Sequence, residues 1–248
     1  MLFTDMPRLI DQAREIPVVQ EFQDACQNPG AVDVATLQVL AALIQACRPR
    51  CVVEYGSGTS TVFLMRALQE IPESRLFSVD NFSCFLESTR ARLPQDNRAT
   101  LIHAPLCLEW MHHCPFMTYA RAPQAPIASA GPVDMVFVDG PNGRVLGREG
   151  AFFHILEHLT DTAVILLHDA RRPREQTTLL WWKAILREQM SLYEVPFSKL
   201  GLTVAVFNSP RGSRKVSFSL SQMFWRYQQA WHEYAAWKEY LKQHQELV

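Results

Sequence analysis

The sequence has almost no net charge: 24 lysines and arginines stand against 25 aspartates and glutamates, a formal balance of -1. That gives no electrostatic reason to expect a nucleic acid or an anionic membrane as partner. The chain also has no apolar run near the roughly 20 residues that a membrane-spanning helix needs. Its N-terminus, MLFTDMPRLIDQARE, is charged from the first few residues and has no apolar core of signal-peptide length. The six cysteines (Cys26, Cys47, Cys51, Cys84, Cys107, Cys114) include no CxxC pair and follow no regular spacing. Most sit in apolar stretches such as LIQACRPRCVVEYG, where a thiol behaves as a small hydrophobe. A disulfide framework is not expected in a chain this long. Repeats and low-complexity tracts are absent too. What remains is a soluble globular protein, with the cytoplasm as its expected location.

What is present is enough apolar side chain, 48% of residues, for a full core in a chain of 248. Three zones follow one another. Residues 1–32 read as short N-terminal helices, broken at Pro17 and ended by the turn Asn28–Gly30. Asp33 then stands as N-cap to VATLQVLAALIQAC, which Arg48 and Pro49 stop. From there strands and helices alternate through residue 210. The strands are CVVEY (51–55), RLFSVD (75–80), ATLIHA (99–104), VDMVFVD (133–139), AVILLHD (163–169), YEVPF and LTVAVFN (202–208). A proline-rich loop, RAPQAPIASAGP, precedes the fourth. Strands this apolar imply a sheet covered on both faces and joined by right-handed crossovers. The fold class is therefore α/β, Rossmann-like and doubly wound, with ligands outside the carboxyl ends of the strands. The third zone, residues 214–248, reads as an amphipathic helix whose apolar stripe is Leu220, Phe224, Tyr227, Trp231, Tyr234 and Leu241.

The first strand runs straight into a glycine turn, VVEYGSGTST. Gly56 and Gly58 let the turn tighten and let a ligand approach the backbone; a tight strand-to-helix turn with no ligand is the plainer alternative. Thr61 stands where a dinucleotide fingerprint has its third glycine, which argues against NAD. Glu54 lies inside the strand, where its charge repels a pyrophosphate but suits a ligand carrying a cationic amino group. S-adenosylmethionine is such a ligand. Asp80 closes the second strand, 22 residues past Gly58, at the place for ribose hydroxyls; capping the next helix is its plainer role.

VVEYGSGTST followed by LFSVDN resembles motifs I and II of class I S-adenosylmethionine-dependent methyltransferases. The likeness continues through VDMVFVDGPNG, AVILLHDARRP and the final strand pair, about residues 33–208. It implies a seven-stranded sheet with an antiparallel last strand. It implies cofactor contacts from Glu54 (to the methionyl amino group), Gly56, Ser57, Gly58, Asp80 and Asn81. For the adenine it points to the stretch after the third strand, with Leu106 and Trp110 as candidates.

Asp139 and Asp169 end the fourth and fifth strands, so their carboxylates face one crevice, where they share a proton or bind a cation. His168 beside them is a candidate general base. The segment resembles metal-dependent O-methyltransferases in its two strand-end acids, Asp139 and Asp169, as a divalent-metal pair, but Ala170 replaces the asparagine usual after the second. It resembles more closely a group with an Asp-Gly-Pro loop and an acidic-Asp-Ala-x-Arg-Pro segment, which includes saccharide O-methyltransferases. On that likeness Asp139, His168 and Asp169 are catalytic and Asn142, Arg148 and Arg172 bind the acceptor. Surface or ion-pair roles for the arginines, a turn for Asp139 and a helix cap for Asp169 are the bland alternatives. The adjacent histidines of WMHHC point in different directions and read as structural.

The expectation is a methyltransferase acting on a hydroxyl of a small molecule or saccharide. The alternatives are an N-methyltransferase, although the chain has Asp139-Gly-Pro-Asn142 in place of the (Asp/Asn)-Pro-Pro-(Tyr/Phe) box of amide and adenine N-methyltransferases, and a non-catalytic module acting through its terminal helix. That helix has three readings: packing on its own domain, a homodimer interface, or a membrane-surface helix, the last disfavoured by its mixed charges.

Overall fold

A computed structural model of the chain describes residues 5–141 and 146–244. Its centre is a seven-stranded sheet. In chain order the strands are β1 (Cys51–Tyr55), β2 (Arg75–Asp80), β3 (Ala99–His103), the hairpin β4 (Leu106–Met111) and β5 (Cys114–Tyr119), β6 (Val133–Val138), β7 (Leu159–His168), β8 (Met190–Val195) and β9 (Leu202–Asn208). The sheet runs β3-β2-β1-β6-β7-β9-β8, and β4 and β5 form a separate pair. Neighbours from β3 to β7 are parallel, while β9 is antiparallel to both β7 and β8. The chain winds outward through β1, β2 and β3 and then returns to lay β6 against β1. That reversal opens a crevice at the carboxyl ends of β1 and β6, the place for a ligand in such a sheet.

Helices cover both faces. On one lie α1 (Met6–Ala13), α2 (Gln20–Ala25), α3 (Val34–Cys47) and α4 (Thr59–Ala67); α5 (Ser83–Arg92) follows β2. Met6, Ile10 and Phe22 join α3, Val52 and Leu76 in one core, so the N-terminal helices are built into the fold. The other face is packed by α7 (Glu149–Ile155) and α8 (Pro173–Leu186), with Ile127 of the short α6 (Ala125–Ala130), around Tyr55, Val136, Phe152 and Trp182. The Asp33 side chain accepts the Thr36 N–H at 2.9 Å, as an N-cap does.

Three expectations change. The stretch after β3 is not a plain connection but the β4–β5 hairpin. Its two-residue turn is His112-His113, both at positive φ (49° and 67°), a turn usually made by Asn-Gly. The proline-rich loop contains α6, because Pro126 falls in the helix's first turn, where a missing N–H costs nothing.

The third change concerns α9 (Leu220–Gln243), which docks on a rotated face that keeps Tyr234 and Leu241 of the expected stripe partly buried and turns the rest outward. Leu220, Phe224 and Trp231 are 86%, 67% and 58% exposed, whereas Arg226, Ala230, Glu233 and Trp237 are buried. Counting apolar residues misplaces the face because two charges are buried in it. Arg226 pairs with Glu149 and, at 2.6 Å, with Glu233; Arg174 reaches Glu233 from α8 at 2.9 Å. Trp237 completes the seat against Phe82, Met117 and Leu146. No helix among the described residues is long and apolar enough to cross a membrane.

Candidate functional site

The crevice has a volume of about 600 Å³, and the glycine turn forms its floor. Gly56 sits at φ +99° and gives its N–H to the Val79 carbonyl at 2.8 Å. A Cβ there would come within 3.0 Å of the Asp139–Gly140 backbone, so this glycine lets β1 and β6 close together. At Gly58 a Cβ would meet nothing within 4 Å. No neighbour in the fold therefore excludes a side chain at this position.

Glu54 is fully buried beneath this turn, opposite Ser78 in the β1–β2 register. Its oxygens accept from the hydroxyls of Ser60 (2.6 Å), Thr61 (2.5 Å) and Ser78 (2.6 Å). Glu54 does not itself line the crevice, so the contact to a methionyl amino group that the resemblance implies would be an indirect one. Glu54 braces the turn and meets the crevice only through Ser60, which lines it. Thr61 also accepts the Gly58 N–H at 2.9 Å, which is what it does in place of a third glycine. Burial pushes Glu54 up to about 7, against the pull of the three hydroxyls.

Asp80 binds the other side of the turn. One oxygen accepts the Ser57 N–H at 2.7 Å and the other the Phe82 N–H at 2.8 Å, while burial pushes its pKa up to about 6. Asn81 also lines the crevice, and its Nδ2 is buried without a partner. Leu106 and Trp110 do not line it: Leu106 packs beneath α9, and Trp110 points outward, 57% exposed, against Tyr227.

At the other end the two strand-terminal aspartates do converge. His168 Nδ1 lies 2.7 Å from Asp139 Oδ1 and 3.6 Å from Asp169 Oδ2. Arg148, almost fully buried, bridges them, with one nitrogen 3.3 Å from Asp139 and 3.1 Å from Asp169. It also donates to the carbonyls of His168 (2.8 Å) and Pro141 (3.2 Å). Arg172 adds a pair to Asp169 at 2.6 Å. Asp169 thus spends its carboxylate on two arginines rather than on capping α8, whose N-cap has no side-chain bond. It holds a left-handed φ of 58°, a strained conformation that these pairs stabilise.

Burial pulls the His168 pKa down, but the Asp139 charge and hydrogen bond outweigh it and leave it raised. Asp139 is lowered against its own burial by the same imidazole and by Arg148 and Arg172. His168 is 2% exposed and stands behind Asp139, so the base role expected of it would reach an acceptor through Asp139. Asp139, Arg148, Asp169 and Arg172 line the crevice itself. Asn142 lies outside the described residues.

The ligand atoms of Asp139, His168 and Asp169 lie within 4.8 Å of one another, close enough for one ion. The donor set nevertheless does not fit a divalent metal as arranged. Arg148 already holds the place between the carboxylates, and the near imidazole nitrogen is committed to Asp139. Sequence reasoning missed Glu175, which looks like an ordinary first-turn acid of α8. It is fully buried, its nearest cation is Arg148 Nε at 3.6 Å, and burial pushes it up to about 7.

Comparison with known proteins places this geometry. Residues 53–170 match the family model described as a methyltransferase domain. No curated protein sequence matches the chain. Among solved structures it is similar to a methyltransferase from Geobacter sulfurreducens, at TM-score 0.55 and 20% identity over 83% of this chain and 98% of that one. The O-methyltransferase TomG from Streptomyces achromogenes, involved in tomaymycin synthesis and solved in complex with SAM, gives 0.54 and 18% over 81% and 90%. An O-methyltransferase from Bacillus cereus in complex with SAH gives 0.55 and 16% over 84% and 100%. The sheet order is that of the class I methyltransferase fold.

Proposed function

We propose that this chain, built on the class I methyltransferase fold, is an S-adenosylmethionine-dependent methyltransferase acting on a hydroxyl of a small molecule or saccharide. One observation carries the reading: the glycine turn held by Asp80 and Glu54 opens into the same crevice as Asp139, Arg148, Asp169 and Arg172. A cofactor cradle and an acid–arginine cluster thus face one space. The residues present suit S-adenosylmethionine: the open space at Gly58 leaves room for a ligand, Asp80 stands where a ribose would lie, and Asn81 offers an unpartnered buried amide. S-adenosylmethionine bound there supplies a methyl group made electrophilic by its sulfonium.

The protein's part is to orient an acceptor and take its proton. Asp139 is the member of the His168–Asp139 pair that faces the crevice, and it accepts the hydrogen bond of the acceptor hydroxyl. As the methyl group arrives, the hydroxyl oxygen becomes strongly acidic, so Asp139 takes its proton even though the imidazole and Arg148 behind it favour its carboxylate form. Arg172, partly exposed, is placed to hold an acceptor oxygen. Oxygen is favoured over nitrogen because two of the similar structures described above are O-methyltransferases. Six free cysteines suit the cytoplasm. The test is transfer of labelled methyl from S-adenosylmethionine to a panel of hydroxylated small molecules and sugars. Asp139→Asn is expected to lower kcat by a factor of 10²–10⁴, the usual range for a positioned proton acceptor, with cofactor affinity kept. Full activity in that variant would misplace the acceptor site.

A further inference from the structure

We propose that α9 is part of the cofactor site, and that Tyr240 contacts the adenine of the bound nucleoside. The inference rests on the cofactor reading above and deepens it. The two residues that the sequence suggested for the base, Leu106 and Trp110, do not line the crevice, so the base needs another neighbour. Tyr240 lines that crevice together with Gly56–Ser60 and Asp80–Phe82, and it is the one residue of α9 that does so among the described residues.

Its place relative to the ribose position follows from a chain of rings. Tyr240 stacks on Trp237 (5.3 Å between centroids, 12° between planes), and Trp237 leans on Phe82 at 5.9 Å. Phe82 gives its N–H to Asp80, the carboxylate at the ribose position. The phenol is thus linked through two rings to the segment that carries Asp80 and Asn81. His244 stacks on the same ring at 4.1 Å and 14°. With its faces taken, the ring has its edge and hydroxyl left to offer a ligand. Asn81, whose buried Nδ2 lacks a partner, lines the same crevice. A flat base with nitrogen acceptors and an apolar edge suits this combination.

The helix is no loose appendage. Arg226 is buried, and it pairs with Glu149, the residue after Arg148, and with Glu233, which also accepts from the Gly147 N–H at 3.4 Å. The docking of α9 thus holds both the nucleoside wall and the end of the acceptor loop.

Calorimetry of the full chain with S-adenosylhomocysteine and with adenosine tests this. Tyr240→Ala and Tyr240→Leu, the second keeping an apolar side chain of good helix propensity, should each weaken both ligands by about tenfold, the factor for one lost ligand contact. Thermal melts should show α9 still docked in the leucine variant. Wild-type affinity in either folded variant would overturn the proposal. So would a loss seen with S-adenosylhomocysteine but not with adenosine, because the contact would then lie off the base. If the wild-type chain binds neither ligand, the cofactor reading itself fails and takes this inference with it.

Discussion

Glu54 is a carboxylate placed inside a parallel strand, where a charge is costly unless it is bonded. Three hydroxyls bond it, and still its pKa is near 7. The unfolded chain releases this proton near pH 4.3, while the folded chain keeps it to about 7. Between those values the folded state binds more protons, so the Glu54 contribution to stability is full at low pH and is lost as pH rises through 7. Glu54→Gln has no such proton. The stability of Glu54→Gln relative to wild type should therefore rise by up to about 1.4 kcal/mol per pH unit across that window, measured by urea unfolding at pH 5, 6 and 7.5. A flat difference would mean Glu54 is not buried as described. Arg148 is the opposite case, a buried cation whose loss leaves Asp139 to His168, Asp169 to Arg172, and Glu175 without its nearest cation. Arg148→Met should cost about 3–5 kcal/mol, and a chelator should leave the wild-type melting temperature unchanged. A fall on chelation, restored by magnesium or manganese, would favour a metal between the aspartates instead.

At the scale of elements, the central strands were legible because each is a short apolar run ended by a polar residue or a turn. The predicted ranges of β1, β2 and β9 match those observed. The hairpin was hidden by its His112-His113 turn, which lacks the usual Asn-Gly signal, and by Glu109 within β4. The face of α9 was hidden for another reason: Arg226 and Glu233 look like solvent-facing charges until Glu149 is brought opposite them. Deleting residues 214–248 would uncover Phe82, Met117 and Leu146 and leave buried Glu149 without its cation. The truncated chain should aggregate or lose several kcal/mol, in the range for removing one partner of a buried pair together with core contacts. Sedimentation and unfolding of both forms measure this. A stable, soluble truncated monomer would contradict docking in cis. It would return the helix to the homodimer role that the sequence also allowed.

For the whole molecule, the winding order does what no residue can do alone. It brings Gly56, Asp80, Asp139 and Asp169, distant in sequence, to one crevice at the β1/β6 reversal. That much could be read from the sequence, because strand ends carry the chemistry in this class of sheet. Depth could not. Strand position alone does not say that Glu54 lies below the turn, that His168 stands behind Asp139, or that Tyr240 reaches over from the last helix. The proposed methyl-donor role of the crevice is tested most directly by calorimetry with S-adenosylhomocysteine and NAD. That role predicts micromolar, one-site binding of S-adenosylhomocysteine, weakened by about 1–3 kcal/mol in Asp80→Ala, and no comparable binding of NAD. NAD binding without an S-adenosylhomocysteine signal would contradict it.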